Sequence, residues 1–398
     1  MAVPMPAAGF LATVGVALVT LVAPPSAAAA GPALTPRLAG QLQAVLDRER
    51  ASLGIPGLSV AVIFPDGTTW TGVSGSADVA TGRPVLPETP FALASVSKAF
   101  VAGVVMGLVE ERRLHLGDSV ARLLPDVRLG RNGLDPRITV RQLLDHTSGL
   151  ADYLGTRALE VAARAAPTAR WTAGRALSYV PRPRAEPGVA YYYSNTNYVL
   201  LGLIVERVTG RTLAEELRSR WIEPLGLRSV SYQGVEPPVG EPARAYRFSS
   251  DAIGATTIDV GDGTAVRPYT AITTAAGAAG SIMANAEDAA RWLRALLSGE
   301  RLRSATVARM VADAGRTNAI DPLRPYGLGL QAWAIGGHPS LGHSGRLIGQ
   351  RVLVRHFPDD GLTIAVLTNQ SRADPAVVLE ALLAVLLRSN ADAGLQAA

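Results

Sequence analysis

The sequence contains no cysteine and a single lysine. Without cysteine in its 398 residues, the chain forms no disulfide bond and carries no cysteine-linked lipid anchor. Its one lysine is Lys98, and the rest of its 38 basic residues are arginine. Arginine therefore serves wherever a surface cation suffices, which singles out Lys98 as a residue whose chemistry arginine does not supply.

Charged residues are also few, at 18% of the chain, and they leave a net charge of +5. The arginines are scattered and lack the clustering with aromatic residues that nucleic-acid grooves use, so no nucleic-acid partner is predicted. If the protein is exported, its basic surface would instead be attracted to an anionic cell-wall polymer. The simpler alternative is a solvated basic surface without a partner.

The first thirty residues differ from the rest of the chain. An uncharged apolar run, PAAGFLATVGVALVTLVA, is followed by small residues that offer cleavage after Ala28 or Ala30. This pattern predicts a signal peptide over residues 1–30 and a secreted protein, with an uncleaved membrane anchor as the alternative. Residues 31–398 are long enough to bury a sizeable core.

Strand patterns lie near both ends of this remainder, and helical patterns lie between them. Thr35 and Pro36 predict the start of an amphipathic helix, and GLSVAVIF, PDG and TTWTGVSGS then predict a hairpin. Helical periodicity runs from Val96 to about Asp313, apart from a Pro/Gly/Thr-rich stretch over residues 233–280. Strands return in YGLGLQAWAI, QRVLVRHF and LTIAVLTN, before a final helix at Asp374.

Because strands need partners, the two terminal segments are expected to pair in one sheet. The predicted fold class is α+β: an antiparallel sheet flanked by helices and built from both chain ends, plus a mainly helical second lobe. The sheet lobe takes about residues 31–94 and 320–398, and the helical lobe about 95–319. A crevice is expected where the lobes meet, and ASVSK lies at the first crossing.

Ser95 and Lys98 can form a catalytic pair in that crevice. They are three residues apart at a helix start, so their side chains share one face. An amine one turn away can take the serine proton if burial lowers its pKa, which arginine cannot do. The alternative is a capping serine beside a solvated lysine.

Two further motifs follow in order, Tyr193-Ser194-Asn195 in AYYYSNTNYVLLG and His343-Ser344-Gly345 in LGHSGRLIGQ. With SVSK, they resemble the serine β-lactamase and penicillin-binding-protein superfamily, in particular its class C-like branch with secreted D-alanyl-D-alanine carboxypeptidases and related esterases. The resemblance implies a β-lactamase/transpeptidase-like fold and needs no metal or organic cofactor. Taken singly, Tyr193 could merely pack, and Asn195 could cap the following helix.

The resemblance also implies roles. Ser95 would be the acylated nucleophile, and Lys98 and Tyr193 would share proton transfer to and from Ser95 and the leaving group. Asn195 would donate its amide to the substrate carbonyl. The substrate-binding strand would contain His343, Ser344 and Gly345, and the backbone N–H groups of Ser95 and Arg346 would hold the oxyanion.

His343 stands where most β-lactamases carry lysine, and a histidine is largely neutral at pH 7. Efficient β-lactamase activity is therefore not expected, while Arg346 or Arg351 could meet a substrate carboxylate. The predicted function is an exported D-alanyl-D-alanine carboxypeptidase that forms an acyl-enzyme. The alternatives are a class C-like esterase, amidase or β-lactamase and, outside catalysis, a penicillin-binding sensor or cell-wall-binding protein.

His146, in DHTSG, is a further candidate, for a Ser-His-Asp triad. However, the chain contains no G-x-S-x-G elbow that would present the serine of such a triad. We therefore interpret the loop around His146 as structural.

Overall fold

The computed structural model describes residues 33–129, 132–249, 256–318 and 325–397. The signal peptide predicted for residues 1–30 lies outside these ranges. Within them, no helix has the length and apolar character needed to cross a bilayer. The export prediction therefore rests on the sequence alone.

Helices occur throughout the described chain. Their bounds are α1 Pro36–Ser52, α2 Ser97–Glu110, α3 Val120–Leu123, α4 Val140–Leu144, α5 Arg157–Ala165, α6 Ala173–Leu177, α7 Asn195–Thr209, α8 Leu213–Leu217, α9 Thr270–Ala276, α10 Ala286–Leu297, α11 Ser304–Asn318 and α12 Pro375–Ala397. Two 3₁₀ turns lie at Ala94–Val96 and Gly277–Ala279, and a π-helical turn follows α8.

The longer strands lie near the two ends of the described chain, and short strands of two to four residues lie between them. Their bounds are β1 Gly57–Ile63, β2 Thr69–Asp78, β3 Arg83–Pro84, β4 Phe91–Ala92, β5 Arg128–Leu129, β6 Asn132–Gly133, β7 Ser231–Tyr232, β8 Tyr246–Ser249, β9 Thr256–Asp259, β10 Ile282–Ala284, β11 Gln331–Ile335, β12 His338–Leu347, β13 Gln350–Phe357 and β14 Leu362–Thr368.

The central sheet joins the two chain ends, as predicted. Its strand order is β11-β12-β13-β14-β1-β2-β3, and β1 pairs antiparallel with β14, with Val60 opposite Val366. The side chain of Asn369 strengthens this junction, because its Oδ1 accepts a 2.6 Å hydrogen bond from the backbone N–H of Gly57. The α+β class with a large antiparallel sheet is confirmed.

The terminal helices cover one face of this sheet. Thr35 caps α1 by accepting from Leu38 N, and Pro36 occupies its first turn, as the sequence predicted. Leu42 and Leu46 of α1 are buried in one core cluster with Leu382 of α12. The C-terminal helix packs on the sheet as well as on α1, since α12 contacts both α1 and β14.

The other face of the sheet packs on the middle of the chain. A second core cluster includes Val354 and Ala365 from the sheet together with Phe100 of α2 and Leu201 of α7. Helix α10 belongs to the segment predicted as the helical lobe, yet it packs on β1, β13 and β14. The division into lobes stays a prediction, and the two segments share one continuous core.

The stretch over residues 233–280 is more structured than its weak periodicity suggested. It contains the β8–β9 hairpin, α9 and the 3₁₀ turn Gly277–Ala279. Nearly every residue of α9 is buried. A helix buried on all sides needs no polar face, so its sequence, TAITTAA, shows no amphipathic pattern. This helix matters for function, since the turn that follows it lies against Lys98.

Candidate active site

Ser95 lies in the 3₁₀ turn that leads into α2, beside strand β12. Ala94, just before it, adopts a positive φ of 48°, a conformation rarely seen in residues with a side chain and typical of functional turns. Strand β12 comes so close that a Cβ on Gly345 would lie 2.2 Å from the carbonyl oxygen of Leu93. Only glycine at position 345 allows this approach.

Lys98 is completely buried, and its amine has three hydrogen-bond acceptors. Its Nζ lies 3.0 Å from Ser95 Oγ, 2.7 Å from Asn195 Oδ1 and 2.8 Å from the carbonyl oxygen of Ala279. Burial lowers the pKa of Lys98 to about 7, although the nearby carboxylate of Asp152 opposes this shift. An amine with this pKa can accept and return a proton at neutral pH.

Asn195 begins α7 and links Lys98 to Asp152. Its Nδ2 donates to Asp152 Oδ2 at 2.9 Å, and its backbone N–H donates to Asp152 Oδ1 at 3.3 Å. These bonds turn the amide so that its oxygen faces Lys98. The donation to a substrate carbonyl stays a prediction, and the second N–H of the amide is the group that would make it.

Tyr193 completes the group around Ser95. Its ring centroid lies 5.0 Å from Lys98 Nζ. Burial raises the pKa of Tyr193 well above its usual value, and a side-chain hydrogen bond with Ser95 opposes that rise only in part. Tyr193 is therefore a neutral phenol at physiological pH and can donate a proton.

His343 is held away from solvent by its own hydrogen bonds. Its Nδ1 lies 2.6 Å from the carbonyl oxygen of Ser344, and its Nε2 lies 2.8 Å from the hydroxyl of Tyr326. Because a carbonyl oxygen only accepts, Nδ1 carries the proton and Nε2 accepts from Tyr326. Burial lowers the pKa of His343 to about 3, so the ring is neutral at pH 7.

The part of β12 beyond His343 runs beside the turn that contains Ser95. Strand β11 pairs with β12 only as far as Gly342, and the next segment packs on the turn that contains Ser95. A side chain of β11 fixes the backbone of Ser344, since Gln331 Oε1 accepts a hydrogen bond from the Ser344 N–H at 2.8 Å. The side chain of Arg346 is exposed.

His146 is buried beside Tyr193 and not beside Ser95. Its ring centroid lies 4.3 Å from that of Tyr193 and 4.7 Å from that of Tyr326. Its Nδ1 accepts from the backbone N–H of Ser194 at 3.2 Å. Lys98 is the base within hydrogen-bonding distance of Ser95, which supports the structural interpretation of the His146 loop.

The structure thus brings Ser95, Lys98, Tyr193 and Asn195 together and sets β12 along their edge. Sequence reasoning missed three contributors: the carboxylate of Asp152, the carbonyl oxygen of Ala279 and the hydroxyl of Tyr326. Asp152 and Tyr326 lie in the phrases HTSGLADY and YGLGLQAW, neither of which marks these side chains as part of a site. A backbone carbonyl leaves no trace in a sequence.

The chain is similar to known proteins over most of its length. A family model described as Beta-lactamase matches residues 42–388. Penicillin-binding protein 4 of Amycolatopsis lactamdurans is 30% identical over 337 residues, which cover 81% of this chain and 83% of that protein.

Two solved structures align over most of their length. A D-stereospecific amidohydrolase from Streptomyces sp. is 30% identical, with a TM-score of 0.73, over 86% of this chain and 97% of that one. The D-amino acid amidase from Ochrobactrum anthropi SV3, complexed with L-phenylalanine amide, is 25% identical, with a TM-score of 0.74, over 89% and 99%. From the span of the family model and of these alignments, we conclude that the chain belongs to the beta-lactamase family and is a serine hydrolase.

Proposed function

We propose that the protein is an exported D-alanyl-D-alanine carboxypeptidase that acts on cell-wall peptides through an acyl-enzyme on Ser95. The observation that carries this proposal is the completely buried amine of Lys98, 3.0 Å from Ser95 Oγ. A buried amine with a pKa near neutrality is the base that a serine nucleophile needs.

Acylation begins when neutral Lys98 accepts the hydroxyl proton of Ser95, and Oγ then attacks the carbonyl carbon of the scissile bond. The backbone N–H groups of Ser95 and Arg346 stabilise the oxyanion, and such a donor contributes about 3 kcal/mol in comparable sites. Tyr193 protonates the leaving amine and regains a proton from Lys98. Water then releases the acyl group by the reverse sequence of proton transfers.

The substrate class is supported by the relatives and by one exposed cation. The D-stereospecific amidohydrolase points to D-configured amide substrates, and penicillin-binding protein 4 points to a site that accepts a penicillin. A carboxypeptidase substrate ends in a carboxylate, and the neutral, buried His343 cannot pair with it. Arg346, exposed on the cleft strand, is the residue we assign to that carboxylate.

A D-amino acid amidase is the second candidate. The observation that favours it is again His343, because an amide substrate has no terminal carboxylate and needs no fixed cation at this position. The fold shared with the D-amino acid amidase of Ochrobactrum anthropi agrees with this alternative.

Substrate hydrolysis and covalent labelling together test the proposal. The protein is expected to release D-alanine from diacetyl-L-lysyl-D-alanyl-D-alanine faster than ammonia from D-phenylalanine amide. Benzylpenicillin should leave a lasting adduct on Ser95, detected by intact-mass spectrometry and peptide mapping. Preferential amide hydrolysis would select the second candidate, and an adduct on Ser148 or Ser344 would contradict the choice of nucleophile.

Export is proposed from residues 1–30 alone. Expression of the full chain in a bacterium with an active secretion pathway should yield a protein whose N-terminus begins after Ala28 or Ala30. A full-length protein retained in the membrane fraction would instead support an uncleaved anchor.

A further inference from the structure

His146 forms hydrogen bonds with the main chain on both sides of Tyr193. Its carbonyl oxygen accepts from the backbone N–H of Tyr192 at 3.0 Å. Its Nδ1 accepts from the backbone N–H of Ser194 at 3.2 Å. The residues immediately before and after Tyr193 are therefore both bonded to the same histidine.

The ring of His146 also packs on the side chain between those two bonds. The ring centroids of His146 and Tyr193 are 4.3 Å apart and the planes are tilted by 36°. Tyr198 and Tyr326 close the other sides of His146, at 5.3 and 4.7 Å between centroids. One residue thus contacts the backbone, the ring and the surroundings of Tyr193.

The tautomer of His146 follows from its bonds. Because Nδ1 accepts from a backbone N–H, and lies 3.1 Å from Asn197 Nδ2 as well, the proton is on Nε2. Nε2 is buried without a hydrogen-bond partner in the described part of the chain, and it lies among aromatic rings. A buried N–H without a partner is costly, so hydrogen bonding at Nε2 does not account for a histidine at this position.

The backbone of His146 adds a second unfavourable feature. Its φ is +60°, in the left-handed region that few residues other than glycine adopt, with asparagine, aspartate and histidine the most frequent exceptions. Such strain persists where the surroundings enforce it and is concentrated at functional sites. At His146 this conformation turns both the carbonyl oxygen and the ring toward the segment from Tyr192 to Ser194.

We propose that His146 is a positioning residue that holds the phenol of Tyr193 in line with Ser95 and with the leaving group. It does not touch the reacting atoms. This inference rests on the role proposed above for Tyr193 as the acid that protonates the leaving group. A shift of about 1 Å in such an acid can lower the rate by about 100-fold.

Leaving-group dependence gives a readout that a purely structural role would not change. A phenolate with a strongly electron-withdrawing substituent departs without a proton, whereas a more basic phenolate needs the acid. A misplaced Tyr193 should therefore steepen the dependence of kcat/KM on leaving-group pKa across a series of substituted phenyl acetates. These esters also make the test independent of peptide specificity.

Two substitutions separate the contributions of His146. His146→Asn tolerates the positive φ and keeps an acceptor near the position of Nδ1, but lacks the ring. His146→Phe keeps a ring and loses the acceptor. We expect each to lower kcat/KM for p-methoxyphenyl acetate by about 10- to 100-fold, and for p-nitrophenyl acetate by less than about 3-fold.

The matched control is His356→Asn. His356 lies on β13 and its Nδ1 is 2.9 Å from Thr363 Oγ1, so this variant also loses a side-chain hydrogen bond of a histidine in the fold. Its leaving-group dependence should equal that of the wild type. All rates are expressed per Ser95 that reacts with a fluorophosphonate, so partial unfolding of a variant does not distort them.

A double-mutant cycle with Tyr193→Phe decides the inference. If His146 acts through Tyr193, then adding His146→Asn to Tyr193→Phe should change kcat/KM by less than about 3-fold. Independent losses that multiply would overturn the positioning role. If Tyr193→Phe alone keeps the wild-type dependence of kcat/KM on leaving-group pKa, the role proposed for Tyr193 fails. If Tyr193→Phe steepens that dependence and the His146 variants do not, only the present inference fails.

Discussion

Lys98 and Arg355 are both completely buried, on opposite sides of the central sheet. Lys98 lies beside Ser95, on the side of α2 and α7. Arg355 lies on the face of β13 that also carries Leu353 and Phe357, which pack in the core beneath α1 and α12. Neither residue takes part in an ion pair with an acidic side chain among the residues that the structure describes.

The two cations differ in what surrounds them. Arg355 donates to the carbonyl oxygen and the hydroxyl of Ser340 at 2.6 and 3.0 Å and to the carbonyl oxygen of Trp333 at 3.2 Å. Burial lowers its pKa to about 9, which still leaves it charged at pH 7. Its bonds tie β13 to β11 and β12, so it holds strands together.

Lys98, in contrast, has a nucleophile among its acceptors and a pKa near 7. The same burial therefore gives a permanent charge at Arg355 and a transferable proton at Lys98, because the reference pKa values of the two side chains differ by more than two units. The choice between lysine and arginine at a buried site decides whether desolvation produces a structural bond or a base.

The strongest test of this comparison is to place arginine in the cleft. Lys98→Arg should lower the acylation rate by about 10⁴-fold, since the guanidinium cannot supply a neutral base. Lys98→Ala should be nearly as inactive. Acylation is followed by stopped-flow labelling of Ser95 with a fluorophosphonate, and a cooperative melt within a few degrees of the wild type establishes that the variant folds. Wild-type labelling by folded Lys98→Arg would refute the catalytic role.

The next largest effect concerns stability and pH. Lys98 has a lower pKa folded than unfolded, so its charged form opposes folding fully below pH 7, and the penalty fades as pH rises toward about 10.4. Between pH 6 and 9, the free energy of unfolding of the wild type should therefore rise by about 2 to 3 kcal/mol more than that of Lys98→Met. Urea unfolding of both proteins at each pH measures the difference. Parallel stability curves would show that Lys98 keeps an ordinary pKa.

Placing lysine in the sheet should give a smaller effect of another kind. Arg355→Lys loses the forked donor that reaches two strands, and the free energy of unfolding should fall by about 1 to 3 kcal/mol. The pH dependence of kcat/KM should remain that of the wild type, because the variant leaves the cleft unchanged. A displaced pH profile would mean that the two buried cations are coupled.

The smallest effect should come from Asp152→Asn. The carboxylate raises the pKa of Lys98 against the effect of burial, and an asparagine oxygen can still accept from Asn195. The acid limb of the kcat/KM profile should therefore move to lower pH, with little change at its plateau. A limb that stays in place would show that Asp152 acts only by orienting Asn195.

Much of this site was predictable from the sequence. A lone lysine three residues after a serine predicted the pair that the structure places 3.0 Å apart, and the pairing of the terminal strands followed from strand patterns at both chain ends and from the need of sheet edges for partners. Asp152 was not predicted because nothing in its neighbourhood distinguishes an amide-orienting carboxylate from a surface one. The enclosed position of His343 was missed because its cover, Tyr326, comes from a segment 17 residues away whose packing the sequence does not specify.

The pairing of β1 with β14 has a consequence for biosynthesis. Val60 finds its neighbour Val366 only after about three hundred further residues have been made, so the central sheet cannot close while the ribosome is still adding the C-terminal region. Long-range strand pairing of this kind delays folding. For the export proposed above, a nascent chain that stays open until its last strand emerges would suit a translocation channel that accepts only unfolded polypeptide.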